Sequence, residues 1–451
     1  PHPDSHAGVA RSLLALSLPV LAEHLLHMLV GINDTYLANH LPSHSADAAA
    51  AVGTISSFIW FLGLLCAAVG TGSTAIIARA TGAKHRRLSN NVTGQSVSSA
   101  VVIGIALALL LFFLAKPASI LTGLSPTAVG FAYSYLRLLA PSVPFMMLML
   151  IANACLRGAG DTLTPAIVMI IVDIVNVIFS WGLTYGYWHL PNLGFNGIAA
   201  GTTIAYIAGG VIQLAVLLSG AGRAKLFPHR LTPHWHTLKR LLRIGLPSGL
   251  ENLLGWGAQF IVLIIINTLD PTSRMPAAHR NAVVIESASY LVGFAFATAA
   301  ATMVGQSLGM KDPRRAARSA YAAYAFAGSF MTLMGLFFIF FGKYPSQWMS
   351  PDPYIQHLTT KCLFITGFCQ SGFAASLIFS GSLRGAGDTL AAMLLNLSSI
   401  LSIRLLGALI VGYYLRLSLP AIWIVLSAEL FTRGLLIYGR FVQGKWRHTE
   451  V

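Results

Sequence analysis

Leu156-Arg157-Gly158-Ala159-Gly160-Asp161-Thr162-Leu163 is followed 227 positions later by the same eight residues, LRGAGDTL, at 383–390. Two further landmarks return at nearly the same interval. Leu18-Pro19 with Glu23-His24-Leu25-Leu26 is echoed 228 residues on by Leu246-Pro247 with Glu251-Asn252-Leu253-Leu254. Gly82-Ala83-Lys84 is echoed 227 residues on by Gly309-Met310-Lys311. Three landmarks in one order at one spacing mean a duplicated unit. Between them run apolar stretches such as 101–115 (VVIGIALALLLFFLA) and 331–341 (MTLMGLFFIFF). With their flanks they reach the roughly 20 residues that a helix needs to cross hydrocarbon. Backbone polar groups cannot stay unpaired there, and the runs do not alternate as barrel strands would, so they read as helices.

The composition agrees. Of 451 residues, 55% are hydrophobic and 10% are charged, against about 25% charged in ordinary soluble domains. The expected fold class is an all-α membrane protein of twelve transmembrane helices in two six-helix bundles. Spans are expected near 13–38, 51–77, 92–115, 131–155, 163–187 and 197–219, then 241–269, 281–306, 319–341, 358–380, 390–413 and 420–440. The domain reading is an N-terminal lobe over 1–219, a cytoplasmic linker over 220–240 and a C-terminal lobe over 241–451. Residues 1–10 read as an unstructured start with no cleavable signal after them. Six spans per copy is an even number, so both copies have one topology and are related by an axis along the membrane normal. Such duplication is typical of alternating-access transporters.

The net charge of +15 would suggest nucleic acid in a soluble protein. Here the basic residues fall in short loops, so no nucleic-acid partner is expected. They also sort by face. Twenty, among them Arg79, Arg157, Arg240, Arg315 and Arg384, share one side, and seven (Lys116, Arg137, Arg274, Arg280, Lys343, Lys361, Arg416) share the other. The positive-inside rule then puts the richer face, with both termini, in the cytoplasm, as expected of a multi-pass inner (plasma) membrane protein. Cys66, Cys155, Cys362 and Cys369 sit in apolar runs without metal-ligand spacing and read as small buried hydrophobes. His229, His234 and His236 read as solvating the linker.

Arg-Gly-Ala-Gly-Asp-Thr after both the fourth and the tenth helix resembles the multidrug and toxic compound extrusion (MATE) family. Asp34-Thr35, Ala277-Ala278-His279, Val304-Gly305-Gln306, Arg404 and Gly444-Lys445-Trp446 extend the resemblance over the whole chain. It implies a V-shaped pair of six-helix lobes, a monomer, exporting amphiphilic or cationic organic compounds against inward protons or sodium. No cofactor is implied beyond that coupling ion, and membrane lipid is the surrounding partner.

Ionisable side chains in hydrocarbon cost several kcal/mol and so need a reason. Six acids fall inside spans: Glu23, Asp34, Asp173, Glu251, Glu286 and Glu429. Asp34 lies about 30 Å along its helix at 1.5 Å per residue, in the outer half of the membrane. Asn176 and Ser180, four apart and so on one face, and Thr202 fall at compatible depths. The resemblance implies a cation site from an Asp on helix one, an Asn and an Asp four apart on helix five, and a Thr on helix six. Asp34, Asn176 and Thr202 match it, and they are the positions for a sodium ion if sodium is used. Ser180 stands where the second carboxylate is expected. Asp173, one turn deeper, either supplies part of that missing charge or makes a structural polar contact. Asp34 would take a proton from outside and release it inside, loosening its hold on a cationic substrate as it is neutralised. The resemblance also implies a hinge at Pro19, whose missing hydrogen bond leaves a bendable point; its repeat partner Pro247 equally suggests a plain feature of the fold.

The NorM-like branch carries a Glu eight residues past the proline of helix seven, where this chain has Gly255. The resemblance is therefore nearer to the DinF-like branch, with its coupling site in the N-terminal lobe. Glu23 and Glu251, at equivalent repeat positions, read as structural before substrate-binding, and Glu286 stays open as a group facing the cavity. Met146, Met147 and Met149 are adaptable side chains of the kind that line a greasy cavity, beside a plain packing reading. Glu429 with Arg433, and with Arg404 nearby, reads as an internal salt bridge. Arg157 with Asp161, and Arg384 with Asp388, read as cytoplasmic brackets at the same spacing. No nucleophile, metal or phosphate-loop constellation supports an enzyme, and no filter-like loop supports a channel. The competing function is a lipid-linked precursor flippase of the same superfamily.

Overall fold

In a computed structural model, residues 6–122, 124–232, 234–270 and 272–449 are described. Among them, eleven helices are long and apolar enough to cross a membrane, and a twelfth span is a bent pair of helices. In chain order they are α1 (Ala7–Asn39, its helix beginning at His6), α2 (Ser45–Gly82), α3 (Arg86–Leu121), α4 (Pro126–Gly158), α5 (Leu163–Tyr185) and α6 (Phe195–Ser219). The second set is α7 (Trp235–Leu269), α8 (Arg274–Gly309), α9 (Pro313–Phe341), α10 (Pro353–Gly367 and Gln370–Ala386), α11 (Thr389–Tyr414) and α12 (Leu419–Val442). The fold is all-α with the twelve spans expected. Most helices outrun the hydrophobic runs, because polar flanks such as Arg86-Arg87-Leu88-Ser89 continue the same hydrogen-bond ladder.

The repeat is visible in the backbone. Gly158 packs on Thr74 of α2 and Gly385 packs on Ala301 of α8, so closely that a Cβ at either glycine would collide with backbone. Small residues at such crossings let membrane helices approach. The second glycine of each motif has a different task. Gly160 and Gly387 have φ of 84° and 88°, the left-handed turn that ends a helix and that glycine enters without strain. Lys84 and Lys311 share another positive φ, 59° and 61°.

Both copies also interrupt their fourth helix at one place. Helix α4 passes through a 3-10 turn at Ala140–Ser142, where Pro141 removes a backbone donor. Helix α10 is bent by 61° between Gly367 and Gln370. The sequence reading has a single rod over 358–380, and the correction comes from Gly367, whose backbone meets Gly335 of α9 at close range. Helix α11 contains π-helical stretches at Ile400–Leu405 and Leu409–Tyr414, a local unwinding frequent near functional groups. Of the start expected to lack structure, residues 6–10 are the first turns of α1, and residues 1–5 lie outside the described residues.

Two compact units are present. One is Ala22–Thr81 with His85–Gly245; the other is the described part of Pro1–Leu21 with Gly82–Lys84 and Leu246–Val451. Helix α1 thus changes unit just after Pro19, and α7 changes unit just before Pro247. In the second unit Val9 and Leu13 pack with Phe296, Ala297, Met303 and Ile378. In the first, Leu241 and Gly245 lie directly on Gly72 and Ala68 of α2. The segment between α6 and α7 is clamped to α3 of that unit. Gln95 donates to the carbonyls of Arg230 (3.1 Å) and Thr232 (2.7 Å) and accepts from the backbone of His234 (2.9 Å). His236, expected in that segment, is already in α7. The four cysteines are free and buried.

Candidate functional site

The polar heart of the first unit begins at Asp34, on α1 and only 3% exposed. Its Oδ2 accepts from the hydroxyl of Tyr135 on α4 (2.6 Å) and from that of Thr202 on α6 (2.8 Å). Thr202 in turn accepts from Nδ2 of Asn176 on α5 (2.9 Å), which also reaches Ser180 at 3.3 Å. Asn33 Nδ2 donates to Asn176 Oδ1 (2.9 Å), and the indole of Trp181 donates to Asn33 Oδ1 (3.0 Å). The direction of this chain is fixed from its far end. An indole N–H only donates, so Asn33 must show it an oxygen and turn its amino group to Asn176. Asn176 must then answer with its oxygen and present its NH2 to Thr202. Asp34 Oδ1 is buried with no hydrogen-bond partner.

Glycine makes this closeness possible. A Cβ on Gly201 would run into the backbone and hydroxyl of Ser180, and one on Gly197 into the backbone at Leu183 and Thr184. Helix α6 therefore lies directly on α5, and Thr202 falls within reach of Asn176.

The structure brings together Asp34, Asn176, Ser180 and Thr202. It leaves Asp173 outside: both its carboxylate oxygens are buried without a hydrogen-bond partner. Tyr135, Asn33 and Trp181 belong to the chain although the sequence reading gives them no part in it. The available signal was Asn33-Asp34, two adjacent polar residues within one span. Met146, Met147 and Met149 are packed at 2%, 0% and 1% exposure.

The remaining intramembrane acids are held differently. Glu23 is paired with Arg157 (2.9 Å) and accepts from Asn153 (2.9 Å), whose oxygen accepts from Gln213 (2.8 Å). In the second unit Glu251 is paired with Arg384 (2.6 Å) and accepts from Asn396 (2.7 Å). Each motif arginine thus reaches a glutamate on the first helix of its own repeat. Asp161 accepts from the backbone and hydroxyl of Thr164 (3.1 and 2.8 Å), while Asp388 holds Arg440 at 2.8 Å. Glu429, fully buried, lies between Arg404 (2.7 Å) and Arg433 (3.2 Å) and accepts from Ser399 (3.1 Å). Glu286 accepts from Thr366 and from Gln370 (3.1 Å), which flank the break in α10. Among the described residues no group of three or more His, Cys, Asp or Glu is gathered as a metal site would require.

Against known proteins, residues 19–181 and 247–410 match the family model described as MatE. The chain is 28% identical over 444 residues to the probable multidrug resistance protein NorM of Thermotoga maritima, covering 98% of this chain and 94% of that protein. Its fold is similar to that of an outward-facing multidrug resistance MATE family transporter of the MOP superfamily. That similarity has a TM-score of 0.87 at 20% identity and covers 98% of this chain and 97% of the other. A MOP superfamily transporter from Pyrococcus furiosus is similar to the same degree, with a TM-score of 0.87, 20% identity, and coverage of 98% and 97%.

Proposed function

We propose that this chain, which belongs to the MatE family, exports small amphiphilic or cationic organic compounds against an inward flow of H+ by alternating access. Membership makes it a secondary transporter of small organic compounds and not an enzyme. The observation that carries the finer reading is Asp34, buried within the membrane and held only by neutral donors, with Oδ1 unpartnered. A carboxyl compensated by hydroxyls rather than by arginine is free to change charge state. When it is ionised it grips Tyr135 of α4 and Thr202 of α6; when a proton neutralises it, that grip weakens. The state of one oxygen pair is thereby transmitted to the helices around it.

The amide orientation supports H+ over Na+ as the coupling ion. A hard cation wants several oxygen ligands, but Asn176 turns its NH2 toward Thr202 and its oxygen is engaged by Asn33. Ser180 adds a hydroxyl and not a carboxylate. Sodium at Asp34, Asn176 and Thr202 would require the whole amide chain to turn over. Gly255, standing where the NorM-like branch has its glutamate, supports placement near the DinF-like branch. The basic-rich loops support an inner-membrane protein with both termini cytoplasmic, and family membership supports a monomer. The lobes follow the repeat, 1–219 and 241–451 about the 220–240 linker, with Pro19 as the hinge of α1.

The test is export of ethidium or norfloxacin from everted vesicles with the pH and sodium gradients clamped separately. Export should follow the pH gradient and be lost in Asp34→Asn. Full-rate export by that variant removes Asp34 as the coupling group. Absence of export of either drug returns the question to a lipid-linked precursor flippase.

A further inference from the structure

Asp173 is the intramembrane acid that the coupling chain does not use. It lies on the face of α5 that carries Asn176 and Ser180, since positions three and seven residues on return close to the same side of a helix. It is 8% exposed, and neither of its carboxylate oxygens has a hydrogen-bond partner. Its nearest polar relative cannot supply one. Both ends of the Asn176 amide are engaged, by Asn33 on the oxygen and by Thr202 and Ser180 on the nitrogen. Arg157, at the end of α4 in the same unit, is committed to Glu23.

A buried carboxyl in this condition is incomplete in either charge state. Ionised, it lacks a counter-charge; neutral, its O–H lacks an acceptor, and an unmade hydrogen bond still costs free energy. A ligand of positive charge would complete it. A metal ion fits poorly, because it needs an oxygen cage and no second acid, histidine or cysteine joins Asp173 in a metal-type group among the described residues. A proton alone leaves the O–H unanswered. An organic ammonium fits both requirements, because one carboxylate balances its charge and its hydrocarbon needs no further polar ligands. Tyr206, on α6, is buried in the same unit.

We propose that Asp173 is the group that receives the cationic centre of the exported compound, carried on α5 and so separate from the coupling carboxyl Asp34 on α1. This rests on the exporter reading and gives it a substrate contact. It also offers a route to exchange, because a cation held at Asp173 and a proton taken up at Asp34 disfavour one another. Linkage makes the effect reciprocal.

The experiment is equilibrium binding of ethidium and of tetraphenylphosphonium to the purified full chain in detergent, beside ethidium export in everted vesicles. Asp173→Asn should weaken binding of both cations at least tenfold, while Asp173→Glu stays within threefold of wild type. The thermal midpoint of Asp173→Asn should be unchanged or raised, because an uncompensated buried charge has been removed; this separates lost contact from lost fold. Wild-type affinity in Asp173→Asn overturns the assignment. So does intact binding with loss of the pH-gradient dependence of export, which would make Asp173 a proton carrier. If the wild type exports ethidium and only the Asp173 result fails, the exporter reading survives. If the wild type neither binds nor exports either cation, both fall.

Discussion

The two compact units hold their buried acids by different chemistry. In the second, Glu251 and Glu429 each face an arginine, at 2.6 and 2.7 Å. In the first, Glu23 has its arginine, but Asp34 has only two hydroxyls and Asp173 has nothing. The repeated sequence accounts for what the halves share: Glu23 with Arg157 and Glu251 with Arg384 are the same bond made twice. It does not account for what differs. An arginine-paired carboxylate is locked in its charged form, whereas one held by neutral donors can change state. The repeated glutamate–arginine pairs therefore make a common frame, and Asp34 stands outside it. Glu286, held by Thr366 and Gln370, is the nearest counterpart in the other unit. It differs in lying within the field of Arg404.

The largest effect should come from breaking a lock. Glu429→Gln leaves Arg404 and Arg433, with side chains only 14% and 16% exposed, without their shared buried carboxylate, and removing one partner of such a set costs about 3–5 kcal/mol. Thermal unfolding in detergent should show it as a fall in midpoint far beyond that of any other single acid. A variant as stable as wild type would mean the arginines find another partner and the contrast between the units is overdrawn.

Next comes Asp34. Asp34→Asn should lower gradient-driven export at least ~100-fold, which is about 2.7 kcal/mol of driving interaction, while unfolding shifts by less than about 1 kcal/mol. Glu286→Gln should lose no more than about threefold in export, on the same scale. Equal losses in both variants would make the units functionally equivalent and refute the asymmetry.

A third effect tests how the site is assembled. Gly201→Ala inserts a methyl where Ser180 already stands, and overpacking of this kind costs typically about 1–3 kcal/mol. Helix α6 should move off α5, lengthening the link between Thr202 and Asn176. Export should fall more than stability does. If both are untouched, the close approach of the two helices is not what positions Thr202.

Much of this architecture could be read from the chain. The octapeptide and its spacing gave the duplication, and the apolar runs gave the spans, because hydrocarbon allows few alternatives to a helix. Asp34, Asn176 and Thr202 were legible because polar residues within a span are conspicuous and because they match the residues that the family resemblance implies. The break in α10 was not, since Gly367 and Gln370 carry no proline and the bend depends on the neighbouring Gly335. Tyr135 was invisible as a donor to Asp34, because an aromatic in an apolar helix reads as packing until its hydroxyl is seen to point at a carboxylate. The partners of Arg157 and Arg384 were missed for a related reason. Four-residue spacing suggests a local pair, and only the fold reveals a glutamate 130 or more positions away that suits the guanidinium better.

The smallest effect concerns Ser180, the position where the resemblance leads one to expect a second carboxylate. Its contact with Asn176 is a neutral hydrogen bond at 3.3 Å, the longest in the Asp34 chain. Its partner also donates to Thr202 at 2.9 Å, so losing the serine leaves no amide group wholly unsatisfied. A typical neutral hydrogen bond contributes about 0.5–1.5 kcal/mol, and this shared, long one belongs at the lower end. Ser180→Ala should therefore change export by no more than about threefold and leave the preference between pH and sodium gradients unaltered. Ser180→Asp tests the same position from the other side, by restoring an oxygen charge beside Asp34. If sodium begins to drive export in that variant, the hydroxyl at 180 is what makes the native site a proton site. A large loss in Ser180→Ala would instead mean that the serine oxygen is itself a ligand, and the case for proton over sodium would have to be abandoned.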